Sequence, residues 1–230
     1  MSAHPGSADL AVIYANRFAG MESYRQRVWK ILAESVFSKW VSAEGAILDL
    51  GSGYCEFINN IRARVKYAMD LNPDVHAHAA AGVNVLLHDS AAPWPLPPAI
   101  LDVVFTSNFF EHLPNKAALE QTVLNAVACL RPGGRLIAMG PNIRYAGGAY
   151  WDFCDHYLAL TDVGLGELFQ QCGLEVEYIR GRFLPYTMSQ ATRYPLWMLK
   201  AYLKVPFVWN VFGVQFLIVG RRPSPAAGTV

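Results

Sequence analysis

The side chains of this sequence that can do chemistry fall into two groups by type and spacing. The first is Asp49-x-Gly51-x-Gly53-x-Cys55, with Asp70 and Asp89 closing two later apolar runs. A carboxylate followed by a glycine turn suits a close-held ligand. Gly51 lets the backbone bend and approach it, and a helix opening behind the turn aims N–H groups inward. A dinucleotide would need G-x-G-x-x-G and an acidic residue about 20 positions on. Here the third glycine position is Glu56, and a carboxylate beside a pyrophosphate is repelled. A nucleotide-like cofactor without phosphate fits better, and Asp70 at a strand tip can accept both hydroxyls of a ribose.

The second group, His112, Asp152, Asp155 and His156, can take a proton. His112 follows an apolar run, at the edge where open α/β sheets hold ligands. Its structural alternative is a satisfied buried histidine bonded to the backbone. The adjacent Asp155 and His156 can form a carboxylate–imidazole pair, or knit their loop and cap the helix that begins near Thr161. Tyr150, Trp151 and Phe153 would wall such a pocket, or serve as core. Near the N-terminus Tyr14, Arg17, Phe18 and Arg25 can close over a ligand, an arginine pairing bidentately with a carboxylate; surface salt-bridging is the alternative for each arginine.

These groups need a frame, and the apolar pattern supplies one. Ile47–Leu50, Val65–Met69, Val83–Leu87, Leu101–Phe105, the run after Pro132-Gly133-Gly134, Leu174–Ile179 and Val214–Val219 read as strands. Asp9–Val41 reads as one or two helices, Lys116–Leu130 as an amphipathic helix, and Thr161–Cys172 as another. Ala91–Pro98 carries four prolines and must be a loop. Gly140–Tyr157 has no clean period and leaves the fifth strand at the ligand edge. Between the sixth and seventh strands lies Arg182–Gly213, an aromatic-rich insertion longer than a hairpin needs.

Composition narrows the class. The chain has 230 residues and a formal charge of +1, enough for one large core and without the basic block that nucleic acid demands. Its four cysteines, Cys55, Cys129, Cys154 and Cys172, lack metal-ligand spacing, so we expect reduced thiols, no metal site and a cytoplasmic setting. No secretory leader or membrane-spanning run is apparent in it.

Asp49-x-Gly51-x-Gly53 resembles motif I of the class I S-adenosylmethionine (SAM)-dependent methyltransferases, written (D/E)-x-G-x-G-x-G, with Cys55 at the third glycine. Ser107–Pro114 resembles the family's S-N-x-x-E-H-L-P segment, and Leu130–Gly134 its L-(R/K)-P-G-G turn. With Asp70 and Asp89 between them, these motifs follow in family order across about half the chain. The resemblance extends from about Ala43 to Arg222. It implies a Rossmann-like α/β fold with a seven-stranded, mostly parallel sheet, its last strand antiparallel and helices on both faces. It also implies SAM as cofactor and S-adenosylhomocysteine (SAH) as product. In such enzymes the acidic residue at Asp89 contacts the adenine amino group, and the Glu111-His112 pair is structural in many members. Trp151–Thr161 looks like a loop of small methyltransferases associated with glycan biosynthesis, which bears on substrate alone.

The expected organisation is an N-terminal helical segment or lid at 1–42, a methyltransferase domain at 43–222 with its insertion at 182–213, and a tail at 223–230. Cofactor contacts are expected from Asp49, Gly51, Ser52, Gly53, Asp70, Leu71, Asp89, Ser90 and Asn108. Catalytic groups are expected among His112, Asp155 and His156, and acceptor contacts from Asn142, Tyr150, Trp151 and Asp152. The expected reaction is methyl transfer to a hydroxyl of a sugar-containing or other polar small molecule. A lipid or quinone-like acceptor is the second reading, and a non-catalytic SAM-binding scaffold the third. Partners are then the small-molecule acceptor and not nucleic acid, with peripheral membrane contact through 182–213 allowed by its aromatic and basic residues. Either a monomer or a homodimer is compatible with the sequence.

Overall fold

The computed structural model describes residues 20–185 and 193–224. Tyr14, Arg17 and Phe18 therefore lie outside the described residues. The strands are β1 (Ala46–Leu50), β2 (Val65–Asp70), β3 (Val83–Leu87), β4 (Leu101–Ser107), β5 (Leu130–Pro141), β6 (Glu175–Arg180) and β7 (Gln215–Arg221). They form one seven-stranded sheet in the order β3-β2-β1-β4-β5-β7-β6. β1 pairs in parallel with β2 and β4, β2 with β3, and β4 with β5, whereas β7 runs antiparallel to both β5 and β6. The order reverses between β1 and β4, and such a switch point opens a crevice beyond the strands' carboxyl ends.

The helices are α1 (Glu22–Ser35), α2 (Glu56–Asn60), α3 (Val75–His78), α4 (Lys116–Cys129), α5 (Ile143–Ala146), α6 (Asp162–Gln171), α7 (Leu196–Lys204) and α8 (Pro206–Phe212). Side-chain alternation sends the strands into two cores. Ile47, Phe105, Ile137 and Leu217 face Trp29 and Phe37, and Phe57 behind them, at the α1–α2 side. Leu48, Val104, Leu136 and Phe216 face the α4–α6 side with Val123 and Phe169. Phe57 stacks on Phe105 with ring centroids 3.6 Å apart, and Trp29 meets both rings edge-on. α1 is thus built into the sheet's core rather than hinged beside it.

Local chemistry sets the helix ends. Asn115 accepts a hydrogen bond from the Ala118 N–H and starts α4, and Thr161 accepts from Gly164 and starts α6. The cap of α6 is therefore Thr161 itself, not Asp155 or His156. α4 stops at Cys129, one residue before the expected end, because Leu130 already pairs with Leu101 in the sheet. The register then shifts between Leu101 and Val103, where Pro132 and Gly133 interrupt the pairing. The insertion between β6 and β7 contains the helices α7 and α8 among its described residues. None of the helices among the described residues is long and apolar enough to cross a membrane.

Candidate active site

β1 delivers Asp49 to the crevice, 3% exposed, with its Oδ2 lacking any hydrogen-bond partner. Burial, then the negative charges of Glu56 and Asp70, push its carboxyl well above the usual range, against a Ile58 backbone hydrogen bond that lowers it. Gly51 follows at φ +67°, and a Cβ there would come within 2.4 Å of the Phe109 ring. The turn is thus glycine because β4's following loop packs a phenyl ring onto it, a contact no local pattern reveals. Cys55, at the third glycine position, has φ 58°, the left-handed conformation glycine adopts most readily. Its thiol is fully buried and pushed up to about 12, chiefly by that burial, so it is a packing group and not a nucleophile.

Asp70 closes the turn from β2. Its Oδ2 accepts the Gly53 N–H at 2.8 Å and its Oδ1 accepts the Asn72 N–H at 2.9 Å. Each carboxylate oxygen retains a further lone pair, so the geometry accommodates a ribose diol in addition to the turn. Burial raises the Asp70 pKa, while hydrogen bonds from Asn72, Gly53 and Leu71 and the charge of His112 pull it down. His112 therefore shares an electrostatic neighbourhood with the glycine turn. Asp89 accepts from the Ala91 N–H at 2.9 Å. Ser90 uses its hydroxyl on Thr122, at 2.9 Å, and its carbonyl accepts from Trp94 Nε1 and Asn125 Nδ2, each at 2.9 Å. Leu71 is 40% exposed at the crevice mouth.

On the other side, Asn108 sits at φ 50° and its Oδ1 accepts a 3.1 Å hydrogen bond from Gln215 Nε2. Gln215, buried at the start of β7, leaves its Oε1 without a partner. It was not among the expected site residues. Its signal was a lone amide at the end of the apolar run Val214–Val219, at the strand end that an antiparallel β7 brings to the crevice.

The proton-accepting cluster has a different pairing from the one its sequence suggests. His112 Nδ1 lies 2.9 Å from the Asp155 carbonyl oxygen and 3.2 Å from its carboxylate Oδ2. Asp155 therefore orients His112. His156 instead packs its ring edge-on against His112 and against Tyr150, each at 4.8 Å between centroids. Burial, the largest influence on His112, lowers its pKa, but the Asp155 hydrogen bond and the charges of Glu111 and Asp155 outweigh it, and the net shift is upward from 6.5. Glu111 anchors the loop through its carbonyl, which accepts from Tyr157 and Leu158.

Several expected contacts have other work here. Asn142, fully buried, donates to Asp162 Oδ1 and to the Gly181 carbonyl, and accepts from Arg144. That corrects its expected role: its amide anchors the loop to α6 and is not offered to an acceptor. Tyr150 is buried with its hydroxyl on the Leu158 carbonyl, so it supports His156 from behind. Trp151 and Asp152 are exposed on the loop's outer side. Arg25 pairs with Glu56 Oε1 at 2.5 Å, both largely buried, which ties α1 to the helix behind the glycine turn instead of leaving it for a ligand carboxylate. Glu111, His112 and His156 also bring metal-type donor atoms within 4.8 Å of one another, a proximity the sequence spacing does not show.

The sheet order, the switch-point crevice and the aspartate–glycine turn define a Rossmann-like α/β fold. Residues 48–138 match the family model described as a methyltransferase domain. No match is found among curated proteins. A chain of the Haloferax volcanii complex between the Trm112 methyltransferase activator and a methyltransferase is similar over 97% of this chain and 100% of its own, with TM-score 0.70 and 18% identity. A SAM-dependent methyltransferase from Archaeoglobus fulgidus aligns over 93% and 99%, with TM-score 0.66 and 16% identity. The N-methyltransferase NodS of Bradyrhizobium japonicum, solved with SAH, aligns over 93% and 98%, with TM-score 0.60 and 13% identity. At such identities structural likeness speaks for the fold alone, and the domain match covers residues 48–138. Residues 48–138 thus match a methyltransferase domain, and the fold of the whole described chain is that seen in SAM-dependent methyltransferases.

Proposed function

We propose that this protein transfers the methyl group of SAM to a hydroxyl of a small polar acceptor, a sugar-containing one above all, with His112 as the general base. The observation that carries the reading is the His112–Asp155 pair, with the His112 charge felt at Asp70 of the cofactor turn. SAM supplies an electrophilic methyl, and displacement from it needs alignment and a dry site more than covalent chemistry. A base is required where the acceptor is a hydroxyl. With Nδ1 bonded to Asp155, the ring's proton sits there and Nε2 is left to accept one from the acceptor.

The residues present fit the cofactor. The orphaned Asp49 Oδ2 suits a cationic group such as the methionyl ammonium, Asp70 the ribose, and Asp89 with the Ser90 N–H the adenine. The unpartnered Gln215 Oε1 is available to the acceptor side, below the loop bearing Asp155. The four unpaired cysteines agree with a cytoplasmic setting. Two observations weigh against a non-catalytic scaffold: the complete Asp49, Gly51, Gly53, Asp70 and Asp89 set, and an oriented imidazole beside it. A lipid or quinone-like acceptor stays as the second reading because the insertion exposes several aromatic side chains.

The test is transfer of labelled methyl from SAM to fractionated acceptor pools by the wild type and by His112→Ala. Loss of about 10²–10⁴-fold in turnover, with SAM affinity kept within about twofold, is expected for a general base. Unchanged turnover in His112→Ala would remove the base and favour an acceptor that needs no deprotonation.

A further inference from the structure

The insertion is fixed firmly on its inner side and bare on its outer one. Arg182 clamps its base by donating to the carbonyls of Gly213 and Val211, each at 2.8 Å. Tyr202 donates to the Phe183 carbonyl at 2.6 Å and Trp209 to the Tyr202 carbonyl at 2.8 Å. Leu199, Tyr202, Leu203 and Val208 pack inward against the α1 core. Outward stand Trp197 at 69% exposure, Phe207 at 76% and Phe212 at 61%, with Met198, Val205 and Val211 beside them. Large aromatic groups held rigidly in water on adjoining helices mark an interaction surface.

Charge indicates what the surface meets. Lys200 and Lys204 are exposed among these side chains. After Glu177 the sequence contains no Asp or Glu, but seven Arg and Lys residues. A groove between α1 and α7 gathers Arg27, Lys30 and Lys200 around Trp197, with Glu34 the one carboxylate in its lining among the described residues. Exposed aromatic side chains beside exposed cations are complementary to an anionic lipid surface, where rings enter the headgroup layer and cations meet lipid phosphates. A second copy of the same face would set these cations against each other.

We propose that the outer face of α7 and α8, with the adjoining side of α1, docks peripherally on a bilayer containing anionic lipid. Gln215 pairs with Pro141, so α8 rejoins the sheet at the carboxyl edge that carries His112 and Asn108. Docking would therefore hold the acceptor crevice near the interface, where an amphiphilic acceptor presents its polar head. That placement rests on the methyl-transfer reading, whereas the docking itself does not.

The test is cosedimentation of the full chain with phosphatidylcholine vesicles, with and without phosphatidylserine. SAM affinity is measured separately by calorimetry and reports on the fold and the cofactor site. Wild type should bind the anionic vesicles at least tenfold more tightly than the neutral ones and be released by salt. Phe207→Ala/Phe212→Ala and Lys200→Glu/Lys204→Glu should each lose about tenfold or more, with SAM affinity unchanged. No binding to anionic vesicles, or equal binding by both double variants, would overturn the proposal. So would a wild-type dimer in solution that Phe207→Asp dissociates while vesicle binding is absent, since the face would then belong to a second copy.

Discussion

His112 and Asp155 stand 43 residues apart in the chain, yet the imidazole Nδ1 of one meets both the carbonyl and the carboxylate of the other. β4 delivers the histidine and the loop after β5 delivers the aspartate, and the two strands are parallel neighbours. The pair is therefore a product of sheet order. It fixes the imidazole tautomer and raises its pKa.

A pH profile reports on this pair. His112 must be neutral to accept a proton, so kcat/KM should rise with pH through a value above the ordinary 6.5. Asp155→Asn removes the hydrogen bond and charge that raise it, so the ascending limb should move to lower pH while the plateau falls about tenfold or more. For stability the sign runs the other way. The folded-state value is raised, so the pair's contribution is complete below about 6.5 and is lost as pH rises through the folded value. A limb that stays in place in Asp155→Asn would show that another group is the base.

Gly51 offers a second measurement. An alanine there meets the Phe109 ring at 2.4 Å and must also hold φ +67°. Gly51→Ala should weaken SAM binding by at least about tenfold, and Gly51→Ala/Phe109→Ala should recover part of it, a coupling of about 1 kcal/mol. The remaining deficit is the left-handed backbone, about 1–2 kcal/mol for a residue with a Cβ. Strict additivity of the two substitutions in calorimetry would place the clash elsewhere.

Much of the frame was legible in the sequence because it is local. Ile47–Leu50 is a buried strand ending at a glycine turn, and Thr161 announces the helix that follows it. What was not legible is what the crossovers bring together. The neighbours Asp155 and His156 suggested a pair, but adjacent residues project differently, and the loop turns the aspartate to His112. For Arg25 a ligand contact and a salt bridge both stayed open, because Glu56, 31 residues away, gives no local sign that the α1–α2 packing will bury the two together. Phe109 against Gly51 and Gln215 beside Asn108 arise in the same way, from strands adjacent in the sheet and distant in the chain.

The trio Glu111, His112 and His156 permits a direct check on His112's role. With His112 as base, exhaustive chelation should leave turnover within about twofold of the untreated enzyme, because proton transfer alone accounts for the histidine. Loss of activity on chelation, restored by a divalent cation, would make His112 Nε2 a ligand. Asp155 would then be the carboxylate that orients a metal-bound histidine.

Asp49 exposes a conflict between stability and function. Its carboxylate is buried, its Oδ2 has no partner, and burial with the nearby negative charges raises its pKa. A raised carboxylate pKa means the charged form is disfavoured in the folded state. Stability therefore falls as pH climbs from the unfolded value to the folded one, and the full penalty persists above it. Asp49→Asn removes the charge at nearly constant volume. The ligand-free protein should gain about 1 kcal/mol at pH 8, seen as a Tm increase of about 2–4 °C for a domain of this size. SAM affinity should fall about tenfold or more, since the orphaned oxygen awaits a cationic group of the cofactor. A variant with lower Tm and undiminished SAM affinity would mean that Asp49 supports the strand and takes no part in the site.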